Sequence, residues 1–84
     1  MSHRNPNNPA EVSDTARQVL GHYHYEGGFR PGSFTTRLIE VFEVADPANT
    51  IALSGAFPVM GSVLTTMSTF GASAVHEIAE RGKL

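Results

Sequence analysis

The sequence predicts an all-α protein, a compact bundle of four to five short helices. Apolar residues recur at spacings of three and four over two long segments, which is the period of one helix face. Gly, Pro and small polar residues stand between the apolar segments, where helices end and begin. Twice a capping residue is followed directly by proline, at Asn8-Pro9 and at Asp46-Pro47, and this pair is typical of a helix start.

The first helix is predicted to begin at Asn8-Pro9 and to end at Gly27-Gly28. Asn8 can accept hydrogen bonds from the first amides of the helix, and Pro9 suits its first position. Glycine ends helices because it adopts the left-handed conformation at little cost. The face predicted to point inward consists of Val12, Ala16, Val19, Leu20 and Tyr23.

The second helix is predicted to follow a turn at Pro31-Gly32, with Ser33 as its N-cap. Its β-branched residues would suit a strand, but the spacing of its apolar residues fits a helix. The inward stripe is predicted to be Phe34, Leu38, Val41, Phe42 and Ala45, widened by Ile39. The opposite side carries Thr35, Thr36, Arg37, Glu40 and Glu43.

Three further helices are predicted in the second half of the chain. One spans about Pro47–Gly55 and ends before Phe57-Pro58, because proline has no amide hydrogen to continue it. Pro58 begins the next, and Ser73 is expected to cap a last helix that ends at Gly82. The residues predicted to face inward are Val59, Val63, Leu64, Met67 and Phe70 in the fourth helix, and Val75, Ile78 and Ala79 in the fifth.

Length and terminal composition suggest the domain organisation. With 84 residues the chain has room for one domain, which we expect to span residues 9–84 after a disordered leader of residues 1–8. The polar N-terminus lacks the apolar stretch of a secretory signal, so the expected location is the cytoplasm. A domain this small buries only about 60–65% of its unfolded surface and is marginally stable alone, which favours self-association.

Charge and cysteine content exclude several function classes. The chain has no Cys, which excludes a disulfide scaffold, a thiolate nucleophile and a zinc site built on cysteine. Its net charge of −2 gives no basic footprint for nucleic acid or anionic lipid. No nucleophile elbow and no glycine-rich phosphate loop is present. We therefore expect a non-enzymatic protein with no catalytic residues, no metal and no cofactor.

The densest polar cluster lies at residues 22–26. On a continuous helix His22 and Glu26 would share a face and could supply two metal ligands, whereas a stable zinc site has three or four. His76 or Glu77 could complete such a site only if the last helix packs against the first. The simpler interpretation is that these histidines lie at a helix end, where they interact favourably with its negative C-terminal dipole.

Two other functions are weighed against the sequence. A helix-turn-helix DNA reader would use the second helix for recognition, but Arg37 is its only cation and nearby acids would repel phosphates. A membrane span could be drawn from the 29 consecutive uncharged residues of Pro47–Val75. Pro58 and many hydroxyl side chains interrupt that stretch, and no basic residue flanks it closely.

Four segments together carry a resemblance to a group of phage proteins. They are Gly21–Gly28, Phe29–Glu40, Ala45–Asn49 and Ala56–Pro58, with a Tyr-x-x-Gly-Gly turn, a Pro-Gly-Ser-Phe helix start, an Ala-Asp-x-x-Asn junction and a Phe-Pro break. About half the chain resembles small uncharacterised accessory proteins of actinobacteria-infecting phages and prophages. At positions 50–56 such proteins usually carry Arg, whereas this chain has no Arg at those positions. The resemblance implies a phage accessory context and brings no known site residues with it.

Protein–protein interaction is the function that the sequence favours. The uncharged stretch Pro47–Val75 is poor in charge for a solvent-facing segment, as the cores of interfaces are. We expect a homo-oligomer, with a host protein as the other candidate partner. The predicted interface residues are Phe57, Met60, Leu64 and Met67, together with the acids Glu40 and Glu43, which a basic partner would offset.

Overall fold

Five helices and no strand make up the described part of the chain, which confirms the predicted all-α class. A computed structural model describes residues 8–84. The disorder predicted for the leader falls largely on residues 1–7, which lie outside the described residues. The helices are α1 (Pro9–His22), α2 (Ser33–Val44), α3 (Pro47–Ala56), α4 (Pro58–Phe70) and α5 (Ala72–Arg81).

Helices α1, α4 and α5 form the core. α1 packs mainly against α5 and also against α4, and α5 packs against α4. The predicted inward faces of α1 and α5 are confirmed, since their aliphatic residues are buried. The buried apolar residues are Val12, Ala16, Val19 and Leu20 of α1, Ile39 of α2, Val59, Met60 and Val63 of α4, and Val75, Ile78 and Ala79 of α5.

Helices α2 and α3 lie at the periphery of this core. α2 buries Ile39 alone, and α3 buries no residue. The predicted inward stripe of α2 is wrong at Phe34 and Val41, whose side chains are 63% and 47% exposed. Apolar side chains cover more than half of the circumference of this helix, which is more than the core can bury. Leu38 and Phe42 are half-buried against the core, whereas Phe34, Val41 and Val44 stay exposed.

α1, α3 and α4 begin at the predicted prolines, and the predicted caps of α1 and α3 are present. Asn8 Oδ1 accepts from the amide of Ala10 at 3.0 Å, and Asp46 Oδ1 accepts from the amide of Asn49 at 2.8 Å. Two predicted caps are wrong: Ser33 is the first residue of α2, and Gly71 rather than Ser73 precedes α5. Neither of these two starts has a side-chain cap.

The end of α1 also differs from the prediction. The helix ends at His22, before Gly27-Gly28, and residues 23–32 fold back over its last turns. The amide of Phe29 donates to the carbonyl of Arg17 at 3.1 Å, which brings Gly28 directly against Gly21. A Cβ on Gly28 would lie 2.2 Å from the nitrogen of Gly21, so this crossing requires glycine.

Candidate functional site

The candidate site is the exposed side of α2, which we call the outer face of α2. At about 100° per residue, its members lie within one third of the helix circumference and opposite the buried Ile39. All of them are exposed. The outer face of α2 consists of Phe34, Arg37, Glu40, Val41 and Val44.

Its apolar members are largely exposed. Val44 is 84% exposed, beside the exposed Phe34 and Val41 of the same helix. A shallow groove between α2 and α3 continues the face at its C-terminal end, and Leu53 of α3 forms part of its far wall. Accessible apolar side chains gathered in this way at Val41, Val44 and Leu53 are typical of contact sites with another molecule.

The charged members are Arg37 and Glu40, near the middle of the face. Within residues 8–84, neither side chain forms an ion pair or a side-chain hydrogen bond. The outer face of α2 therefore offers one unpaired charge of each sign between apolar ends.

A second concave feature lies on the inner side of α2. This cleft of about 240 Å³ separates α2 from α3 and α4. Phe42, Leu64 and Met67 give it apolar walls, while Thr50, Ser54, Thr65 and Ser68 contribute hydroxyl groups. Its volume is below the roughly 300 Å³ at which ordinary ligand pockets begin.

Tyr23 and Glu43 meet at the edge of the inner cleft. The Tyr23 hydroxyl donates to Glu43 Oε2, and His22 Nε2 lies 3.8 Å from the same oxygen. The pKa of the Tyr23 phenol is raised above its ordinary value, first by burial and then by the hydrogen bond to the Glu43 carboxylate and by its negative charge. A phenol held protonated in this way is a hydrogen-bond donor and a poor base or nucleophile.

The residues predicted as interface anchors do not form one surface. Leu64 and Met67 line the inner cleft, and Phe57 is partly buried, with its ring centroid 6.1 Å from that of Phe34. Met60 is 6% exposed and belongs to the core, so it is not available as a surface anchor. Of the two predicted acids, Glu40 lies on the outer face of α2.

The hypothetical metal site of His22 and Glu26 does not have the helical geometry assumed for it. α1 ends at His22, so Glu26 lies in the connection to α2. The last helix does pack against the first, yet His76 Nε2 contacts the backbone carbonyl of Glu26 and not its carboxylate. Among residues 8–84 no three His, Asp or Glu side chains are grouped closely enough to hold a metal ion.

The geometry around α1 and α2 also bears on the two alternative functions. Residues 23–32 separate the two helices, whereas a helix-turn-helix has a turn of about three or four residues. No helix in the described range 8–84 combines the length and the apolar composition that a membrane crossing needs.

Sequence reasoning missed the apolar part of the outer face of α2, because it assigned Phe34 and Val41 to the core. A signal was nevertheless present: six apolar residues distributed around a helix of 12 residues are more than one core contact can cover. Comparisons of the chain with protein-family models, with curated proteins and with solved structures give no match.

Proposed function

We propose that this protein is a non-enzymatic protein–protein interaction module that binds a second copy of itself through the outer face of α2. The observation that carries the proposal is the position of α2, which buries only Ile39 and leaves Phe34, Val41 and Val44 in solvent. Burial of such side chains is the main source of association free energy.

The magnitude is sufficient for a weak complex. Moving one Val or Phe side chain from solvent into a contact stabilises by up to roughly 1.5–3 kcal/mol. Three such residues from each of two copies contribute of order 10 kcal/mol, against an association cost of roughly 4–15 kcal/mol. The net association free energy is therefore at best about −6 kcal/mol, and we expect a dissociation constant of tens of micromolar or weaker.

Charge favours a second copy as the occupant. The outer face of α2 carries Arg37 and Glu40 side by side, so it offers both members of an ion pair to an identical face. A polyanion would meet the repulsion of Glu40, and an anionic lipid surface would find one cation on this face. Only a surface that presents both signs satisfies both residues.

The proposed context is that of a small phage accessory protein in the cytoplasm of a host cell, which the sequence resemblance supports. In that context the self-associated form is the species that would meet a host protein. Self-association is the first property to measure, because it needs no knowledge of the host.

The test is sedimentation equilibrium over a protein concentration range from about 10 µM to about 1 mM. We expect a monomer–dimer equilibrium that Val44→Glu weakens at least about tenfold, because the variant places an unpaired charge in an apolar part of the contact. Circular dichroism shows whether the variant keeps its helices. A monomer throughout the range would contradict the proposal.

Ile51→Glu is the matched control. Ile51 is 74% exposed on α3, close to the exposure of Val44. It lies two residues from Asn49 and from Leu53, which border the groove beside the outer face, so it projects from the other side of α3. We expect this variant to dimerise like the parent chain. Equal weakening by both variants would contradict the assignment of the contact to α2.

A further inference from the structure

We infer that the two copies pair through antiparallel α2 helices, with a two-fold axis that crosses the outer face of α2 at the height of residue 39, Phe34 opposite the partner's Val44 and Arg37 beside the partner's Glu40. This inference rests on the proposed function, since it specifies the geometry of the same contact. It is argued from the order of residues along the outer face of α2.

The order of the outer face is self-complementary. Phe34 and Val44 stand at its two ends, ten residues and about 15 Å apart along the helix axis. Their midpoint is residue 39. A two-fold axis through this midpoint places Phe34 against the partner's Val44 and Arg37 against the partner's Val41, at both ends of the contact.

The same axis pairs the charges. Glu40 lies one residue beyond the midpoint, so the two-fold axis places the partner's Glu40 one residue before it. Arg37 lies two residues before the midpoint and is therefore one residue, measured along the helix, from the partner's Glu40. A helix rises about 1.5 Å per residue, which is within the reach of both side chains. A parallel pairing in the same register would instead set Arg37 against Arg37 and Glu40 against Glu40, and like charges would repel.

The helix dipole favours the same orientation. In an antiparallel pair the neighbouring helix runs in the opposite direction, so the two helix dipoles attract, whereas in a parallel pair they repel.

The size of α2 limits the affinity. Its 12 residues make a rod about 18 Å long and about 10 Å wide, which presents well under the roughly 800 Å² per partner of a standard interface. The pair is therefore expected to dissociate at micromolar concentrations, in agreement with the energy estimate above. A tight, permanent dimer would need additional contact surface.

The experiment is a charge-reversal series at Arg37 and Glu40, followed by sedimentation equilibrium. In Arg37→Glu homodimers each introduced acid faces Glu40, and in Glu40→Arg homodimers each Arg37 faces an introduced arginine, so each single variant should dimerise about tenfold more weakly. An equimolar mixture of the two variants should form heterodimers with near-parental affinity, because both contacts then pair opposite charges. The double variant R37E/E40R should recover homodimerisation for the same reason.

Arg30→Glu and Glu80→Arg provide the control for net charge. Both residues are exposed, outside α2, and each variant changes the net charge by the same amount as its counterpart on α2. We expect neither to change dimerisation appreciably, and we expect their mixture to show no gain over either alone. Effects equal to those at Arg37 and Glu40 would mean that net charge controls association, which would overturn the inference.

The outcomes separate the inference from the proposed function. If Val44→Glu weakens dimerisation while the mixture of charge variants shows no recovery, the outer face of α2 is the contact but the antiparallel register is wrong. If the parent chain stays monomeric, the proposed function and the inference both fail. Recovery in the mixture, together with recovery in the double variant, supports the stated register.

Discussion

The imidazole Nε2 of His76 on α5 lies 2.6 Å from the backbone carbonyl oxygen of Glu26 in the connection between α1 and α2. A carbonyl only accepts, so Nε2 carries the hydrogen. A side chain of the last helix is thus hydrogen-bonded to the segment that leads into α2. Arg17 forms a second hydrogen bond to this segment, since its Nη1 donates to the carbonyl of Gly27 at 2.9 Å.

His76→Ala should loosen this connection. We expect the free energy of unfolding to fall by about 1 kcal/mol, the usual contribution of one hydrogen bond. Amide exchange should accelerate within residues 23–32, and urea unfolding together with hydrogen exchange would measure both effects. Glu77→Ala on the exposed side of α5 is the control, because Glu77 only pairs with Arg81 in solvent. Unchanged exchange in H76A would show that the hydrogen bond does not restrain the connection.

The contact of α3 with α4 depends on Gly61. A Cβ at this buried position would lie 2.9 Å from Ser54 Cβ and 3.2 Å from Ser54 Cα, so the two helices would have to separate. We expect Gly61→Ala to lower the free energy of unfolding by about 1–3 kcal/mol, as overpacked sites do. Thermal and urea unfolding would measure the change.

Gly55→Ala is the matched comparison and should act in the opposite direction. Gly55 is also helical, but no atom outside its own helix lies within 4 Å of its Cβ position. Alanine there should raise the free energy of unfolding by about 0.5–1 kcal/mol through its higher helix propensity. If Gly61→Ala and Gly55→Ala shifted stability in the same direction, close helix approach would not be the role of Gly61.

Local signals predicted the helices well, because caps and periodicity act within a few residues of each other. Asn8 and Asp46 cap the helices that they were expected to cap, and the inward faces of α1 and α5 follow from spacing alone. The end of α1 was placed too late, at Gly27-Gly28. Those glycines permit the chain to cross the helix at Gly21, a contact that no local pattern contains.

The candidate site was harder to predict for a related reason. Spacing shows that Phe34 and Val41 share a side of α2, yet only the packing of α1, α4 and α5 decides which side the core accepts. The hydrogen bond between His76 and the carbonyl of Glu26 joins residues 50 positions apart in the chain. Met60 was assigned to the surface because the segment around it is uncharged, although Ser62, Thr65 and Ser68 mark the exposed side of α4.

His24 adopts a left-handed backbone conformation, with φ of 65°. This conformation costs a residue with a Cβ roughly 1–2 kcal/mol, and glycine adopts it freely. We expect His24→Gly to raise the melting temperature by a few degrees, corresponding to a gain of up to about 1 kcal/mol. His24→Ala keeps the Cβ and should give no such gain. A stabilising alanine variant would instead point to an unfavourable effect of the imidazole.

Because Tyr23 is hydrogen-bonded to Glu43, we expect the free energy of unfolding to decrease at alkaline pH. Burial, then the hydrogen bond and charge of Glu43, raise the pKa of the folded phenol above its ordinary value near 10. The unfolded chain therefore loses this proton first as pH rises through about 10. Below that pH the phenol is protonated in both states and adds no pH dependence. Above it the unfolded state holds fewer protons, so the free energy of unfolding should fall.

Tyr23→Phe should remove this alkaline decrease, since phenylalanine has no proton to lose. Urea unfolding from about pH 9 to about pH 11.5 would show the parent chain losing stability faster than the variant. In a Tyr25→Phe background Tyr23 is the remaining tyrosine of the two, so phenolate absorbance reports on it directly. There, Glu43→Gln should shift ionisation toward lower pH, because the amide removes the negative charge beside the phenol. Ionisation at the same pH with and without the Glu43→Gln substitution would mean that the carboxylate contributes nothing to the raised pKa.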